Sequence, residues 1–123
     1  MTWIELSELH RETAKWLMES KDSIHHRAVC GRPYYSTYAL VTSKLPLGVR
    51  FGRGWNNPEH AKLPGYVNQI TGLGEEQRRT VKRAIRRLRQ RREDADYRPG
   101  ISVTEREPRE SLRDVEEIRG ILW

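Results

Sequence analysis

The sequence predicts an all-α protein, an antiparallel bundle of four helices with a short fifth. Three observations predict it. Four segments of the 123-residue chain, near residues 3–20, 23–44, 75–97 and 108–121, place apolar residues at helical spacing. Their flanks carry start and stop residues, among them Thr2, Pro99-Gly100 and Pro108. The connections are short apart from residues 45–74, which favours antiparallel neighbours. A chain of this length forms one domain, here residues 1–123.

The first segment opens with Thr2 as N-cap and Glu5 three residues on, the spacing of a capping box. Leu6, Leu9, Thr13, Trp16 and Leu17 form its expected buried stripe. On the second, Ile24, Ala28, Gly31, Tyr35, Tyr38 and Thr42 share a face. Pro33 lies inside it, where a proline removes a hydrogen bond and costs about 3 kcal/mol. A kink or break is therefore expected near Gly31-Arg32-Pro33. Residues 45–74 hold six glycines and three prolines and read as a long loop with one short helix near 64–71. Phe51 and Trp55 are expected to plug the end of the bundle. The same loop interleaves Arg50, Arg53, His60 and Lys62 with those aromatics and Tyr66, a composition that also suits unstacked bases.

In the third long segment Val81, Ala84, Ile85 and Leu88 make the apolar stripe. Arg92, Ala95 and Asp96 continue it, whereas Arg79, Arg83, Arg86 and Arg87 mostly do not. A charge on a buried stripe needs a partner or a functional cleft. After a connector at 98–106, Pro108 suits the first turn of the last helix. Its apolar face is Leu112, Val115, Ile118 and Leu122.

Composition narrows the function classes. Hydrophobic residues make up 36% and charged residues 33%, and no apolar run approaches the roughly 18 residues of a membrane span. The opening Met-Thr-Trp-Ile-Glu-Leu has no secretory pattern, so a cytoplasmic location is expected. A single cysteine, Cys30, rules out an internal disulfide and reads as a small buried hydrophobe. His10, His25, His26 and His60 show no metal-ligand spacing, so no metal is expected. Gly52-Arg53-Gly54 lacks the spacing of a phosphate loop, and no cofactor is expected.

The net charge of +6 is unevenly placed: −2 over residues 1–22, +3 over 23–77, +9 over 78–92 and −4 over 93–123. The basic block is either a solvated face paired with the acidic last helix or a groove for phosphates. Arg92 and Asp96, four residues apart, share a face. They form either an ion pair near the helix end or a guanidinium beside an acid/base group. In the second case Arg92 stabilises charge on a phosphate, and Asp96 or the Tyr97 phenol moves a proton.

Three segments resemble the HEPN domain, specifically its short stand-alone bacterial and archaeal type. Arg32-Pro33-Tyr34-Tyr35, followed by Tyr38, resembles the second-helix signature of an arginine, a small residue and a tyrosine pair. His60 resembles the histidine that opens the short middle helix. Arg92-Glu93-Asp94-Ala95-Asp96-Tyr97 resembles Arg-x-x-Ala-Asp-Tyr. Together the match covers about residues 5–122. The resemblance implies a HEPN-like bundle, a homodimer and an association with RNA in toxin–antitoxin, phage-defence or CRISPR-linked systems. A nucleotidyltransferase-type antitoxin or a larger defence complex is the implied partner. Active members cleave RNA without metal, using an arginine, a polar residue and a histidine four to six positions after the arginine. Here Arg92 and Glu93 match, and Asp96 and Tyr97 stand where the histidine would be. Pro33 and Ala39 also depart from the pattern. On this reading Arg92, Asp96 and Tyr97 are catalytic and Arg32 helps to hold the site. Arg53, Arg79, Arg83, Arg86 and Arg87 contact RNA. The alternative is a non-catalytic dimeric module that binds RNA or nucleotide, or serves as a subunit of a larger assembly.

Overall fold

The computed structural model describes residues 1–20 and 23–123; Lys21 and Asp22, counted above in the acidic first segment, lie outside the described residues. The described chain is all-helical. Its helices are α1 (Trp3–Glu19), α2 (His26–Lys44), α3 (Leu63–Tyr66), α4 (Glu75–Tyr97) and α5 (Arg106–Leu122). Short 3-10 turns occupy Ser23–His25, Gly52–Gly54, His60–Lys62 and Val67–Gln69. No helix among the described residues is long and apolar enough to cross a membrane.

The pairing of side chains fixes the directions. Trp3 meets Tyr38, Ser7 meets Ser36 and His10 meets Arg32, so α1 and α2 are antiparallel. Arg87 pairs with Asp114 and Arg91 with Glu110, so α4 and α5 are too. Arg11 to Glu116 and Arg119 to Glu8 close α5 onto α1 in the same sense. The Thr2 hydroxyl accepts from the Glu5 amide at 3.1 Å and starts α1 as its sequence predicts.

Two faces differ from their sequence reading. On α1 the buried positions are Ser7 and Ala14, while Leu9 and Trp16 are exposed, Trp16 by 70%. The reason is a close helix approach through small residues. The Ser7 hydroxyl donates to the Ser36 carbonyl at 2.7 Å, and the Ser36 hydroxyl donates back to the Ser7 carbonyl at 2.8 Å. On α2 there is no single buried face. Val29, Cys30, Gly31, Pro33 and Tyr34 are buried, then every residue from Ser36 to Val41. This helix is the central one, packed on α1, α4 and α5, and Ala28 and Ile24, expected inside, are exposed. Nor does Pro33 break it: the helix runs unbroken from His26 to Lys44. Proline removes only its own bond toward Val29, and burial on all sides holds the flanking turns.

The 45–74 loop is tied by its own polar groups. The Glu59 carboxylate accepts from the Gly52 amide and the Tyr66 hydroxyl, both at 2.9 Å. The Tyr38 hydroxyl donates to the Pro58 carbonyl at 2.6 Å. A Cβ on Gly52 would meet the Glu59 carboxylate at 3.1 Å, which is why glycine suits that position. Phe51 packs edge-on against Tyr66, 5.3 Å between centroids, as expected of a plug. Trp55 does not, and remains 53% exposed. At the other end of the bundle Arg27 donates to the carbonyls of Asp94, Ala95, Arg98, Pro99 and Ile101. One guanidinium thereby satisfies the C-terminal carbonyls of α4 and fastens the connector.

Candidate functional site

The apolar stripe of α4 runs Val81, Ala84, Ile85, Leu88, then Arg92 and Ala95, all buried. Arg92 therefore enters the bundle as its spacing predicts, with 9% of the residue exposed. Asp96 does not follow it inward. The stripe ends at Ala95, and Asp96 sits at the edge of the helix with its side chain 37% exposed. Its carboxylate lies 3.9 Å from Arg92 Nη1, at the limit of an ion pair. Tyr97 is exposed, and its hydroxyl interacts with the same guanidinium from outside.

The stronger contacts of Arg92 come from α2. Nη1 donates to the Tyr35 hydroxyl at 3.2 Å. The guanidinium carbon lies 5.0 Å from the Tyr34 ring centre and 5.5 Å from that of Tyr35, both within cation–π range. Nε is buried without a hydrogen-bond partner. Arg92 is thus a desolvated cation balanced by aromatic faces, with no carboxylate in close contact.

Around this cation stand two histidines. His60, on the tied loop, stacks on Tyr38 at 4.5 Å and lies edge-on to Tyr35. Its Nδ1 is 2.8 Å from the Tyr34 hydroxyl. The Tyr34 phenol is pushed up to about 12, chiefly by burial, so it is neutral, and which of the two groups donates follows the imidazole tautomer. Burial and then the charges of Arg92 and Arg89 hold the His60 pKa below its ordinary value. On the far side His10 lies 5.7 Å from Tyr35, and its Nδ1 accepts from Arg32 at 3.2 Å. Burial, then Arg32, lowers His10 as well. Both rings are neutral near pH 7.

The basic block divides into two sides. Arg87 and Arg91 face α5, where buried Asp114 accepts from both, at 2.9 and 2.7 Å. There the solvated-face reading fits, with the acids of the last helix as partners. Arg79 stays near Glu75 and Glu76 on its own helix. Among the described residues Lys82, Arg83 and Arg86 pair with no carboxylate; Arg86 borders a cleft of ≈ 450 Å³ with Lys62, Gly65, Tyr66 and Gln69. With Arg89, Gln90 and Glu93 it also lines the next hollow along α4, toward Arg92. Arg53, in a left-handed conformation at φ 57°, lies over the Trp55 ring at the loop tip.

Arg92 and its place on the stripe were legible from spacing. Arg89 was not; Tyr35 was marked on the apolar face of the second helix, Tyr34 and Tyr35 by the resemblance to a family signature, and His60 by that resemblance and by its place among the loop's basic and aromatic residues. The signal for the tyrosines was their adjacency on a helix buried on all sides. Cys30 is fully buried and its thiol is pushed up to about 12 by burial, which removes it as a nucleophile at neutral pH. No group of three or more His, Cys, Asp or Glu side chains converges among the described residues. Compared with known proteins, the chain matches no family model, no curated protein and no solved structure.

Proposed function

We propose that the protein is an HEPN-like RNA-binding protein whose Arg92 site holds a phosphodiester and supports metal-independent cleavage. One observation carries this reading: Arg92 is a buried guanidinium whose nearest acid, Asp96, stands off at 3.9 Å. A desolvated cation without a close counter-ion attracts an anion strongly, because water does not screen it. The unpaired Lys82, Arg83 and Arg86 extend the positive surface along the same helix, which suits a polyanion. In the cleavage step the 2′-oxygen attacks the adjacent phosphorus as its proton leaves, and the 5′-oxygen departs with a proton. Arg92 stabilises the charge on the phosphoryl oxygens. Asp96 and Tyr97, both exposed beside Arg92, are the groups of α4 that would exchange the departing and arriving protons. A toxin–antitoxin, phage-defence or CRISPR-linked role, with a nucleotidyltransferase-type antitoxin or a larger complex as partner, belongs to the same proposal.

The test is RNA binding and cleavage with EDTA present. The parent protein should bind RNA with a salt-dependent affinity, and the triple charge reversal of Lys82, Arg83 and Arg86 to Glu should reduce it for all sequences. Loss of three phosphate contacts should flatten the slope of log affinity against log salt by about 2 for single strands. Salt-independent affinity, or an unchanged slope in the triple variant, overturns the proposal.

A second reading is a dimeric module that binds RNA without cutting it. The exposed Leu9 and Trp16, one helical side of α1, favour it, because paired apolar residues on an outer face suit a second copy. Sedimentation of the parent and of Trp16→Glu tests the dimer, and a lone monomer for the parent at micromolar concentration rejects it.

A further inference from the structure

Arg92 is one donor, and a phosphodiester presents two unesterified oxygens. The second donor must lie within reach of the same small anion, on a group the protein holds still. No residue of α4 fits this description: Asp96 and Glu93 are acids, Arg89 leans toward Glu93 at 3.0 Å, and the Tyr97 side chain is 72% exposed and not held still. His60 fits on three independent counts. It borders the same two rings as Arg92, with its centroid 5.7 Å from Tyr34 and 6.4 Å from Tyr35. Its ring is fixed by the stack on Tyr38 and by the loop tie through Pro58 and Glu59. It is exposed, so an anion from solvent can reach it.

We propose that His60 and Arg92 form a two-donor seat for an RNA phosphodiester, with the Tyr34 hydroxyl directing the outward Nε2–H of His60 at one phosphoryl oxygen. The inference rests on the RNA reading above and adds to it a residue from outside α4. In this seat the Tyr34 phenol is the donor to Nδ1 across their 2.8 Å contact, and the neutral ring carries its proton on Nε2. A neutral imidazole is then a donor toward the anion and a poor base, so the seat serves binding and charge stabilisation first. The groups facing His60 are Tyr34, Tyr35 and Tyr38 from α2, Arg89 and Arg92 from α4, and Glu59 on its own loop. The arginines disfavour the imidazolium in the free protein. A bound phosphodiester reverses that field, so binding takes up a proton at His60 and tightens as the pH falls.

The experiment measures the affinity of a five-nucleotide single-stranded RNA between pH 7.5 and 5.5, for the parent, His60→Gln, His60→Ala and His10→Gln. Glutamine keeps an N–H near the place of Nε2 but does not titrate. The parent should bind at least about tenfold more tightly at pH 5.5 than at pH 7.5, within the hundredfold limit for one proton taken up over two pH units. His60→Gln should bind as the parent does at pH 7.5 to within about threefold and lose the pH dependence, while His60→Ala loses about tenfold at pH 7.5 and loses the pH dependence as well. His10→Gln should keep the parent's pH profile. Side-chain nitrogen NMR of the parent should show Nε2 protonated, and its resonance should move on addition of the RNA; this reading needs no variant to fold. If the His60 variants bind with the parent's pH profile while charge reversal of Lys82, Arg83 and Arg86 still weakens binding, the seat is wrong and the RNA reading stands. Absence of RNA binding in the parent overturns both.

Discussion

Replacing Arg92 with methionine separates a cation held for a ligand from a cation held for the fold. The substitution keeps an unbranched stem, so little cavity opens against Gly31, where a Cβ would lie 3.9 Å from the Arg92 stem. Lost are the charged hydrogen bond to Tyr35, about 1.5–3 kcal/mol, and the cation–π contacts with Tyr34 and Tyr35, together about 1–2 kcal/mol. Regained is the cost of the partnerless Nε, about 1–3 kcal/mol. The net destabilisation is then about 1–2 kcal/mol, a fall in Tm of roughly 4–8 °C for a domain of this size. Asp96→Asn should cost under about 1 kcal/mol, because its carboxylate is 37% exposed and distant. Against this modest loss of stability, RNA affinity of Arg92→Met should fall at least about tenfold, the equivalent of one charged contact. Thermal melts by circular dichroism and fluorescence anisotropy with labelled RNA read both quantities on the same samples. A destabilisation of about 3–5 kcal/mol shared by Arg92→Met and Asp96→Asn would mark a true buried ion pair and refute the reasoning. So would an unchanged RNA affinity in a folded Arg92→Met.

Asp114→Asn leaves Arg91, 14% exposed, without its shortest partner and should cost about 3 kcal/mol in chemical denaturation while RNA affinity holds. Gly52→Ala pushes on the Glu59 carboxylate and should loosen the loop, read as faster amide exchange around His60 with the global Tm nearly unchanged. The Glu59 carboxyl is held below its ordinary value, first by the Gly52 amide and then by Tyr66. A depressed folded-state pKa gives stability that is present above the unfolded value and lost as the pH falls through the folded one. Loop protection should therefore weaken below about pH 4.3, and Glu59→Gln should flatten that dependence. Cys30 should react with a thiol reagent at pH 8 only as fast as the protein unfolds, because the side chain is fully buried.

What the sequence discloses of the bundle is what local periodicity controls. The start of α1 at Thr2, the extent of α4 and the inward Arg92 all follow from spacing of three and four. The contact side of α1 does not, since a hydroxyl pair buried between helices carries no hydrophobic signal; Ser7 and Ala14 look inert beside Leu9 and Trp16. For α2 a one-face reading fails for a general reason: a helix enclosed by three others has no polar side to define its inner one. Asp96 is misplaced by a single step of helical rotation past Ala95. His60 and Tyr34 come together across 26 residues through a loop whose shape depends on Glu59, and no local pattern encodes that meeting. Arg27, holding five carbonyls at the far end of α4, is equally invisible to periodicity.

The reciprocal serine bonds between α1 and α2 have a consequence for how the surface is presented. Hydrophobic ridges tolerate small slides, but two hydroxyls that each need the other's carbonyl do not. Moving α1 by one turn would leave Ser7 and Ser36 both buried and unsatisfied, at about 1–3 kcal/mol each. The contact therefore acts as an index mark that sets the rotation of α1 about its axis as well as its height. Leu9 and Trp16 are carried on the opposite side of that helix, so their azimuth is fixed by a pair of serines they never touch. Whatever meets that outer line meets it at one angle, and replacing both Ser7 and Ser36 with alanine, by removing both bonds and freeing the rotation, would blur the angle before it weakened the fold.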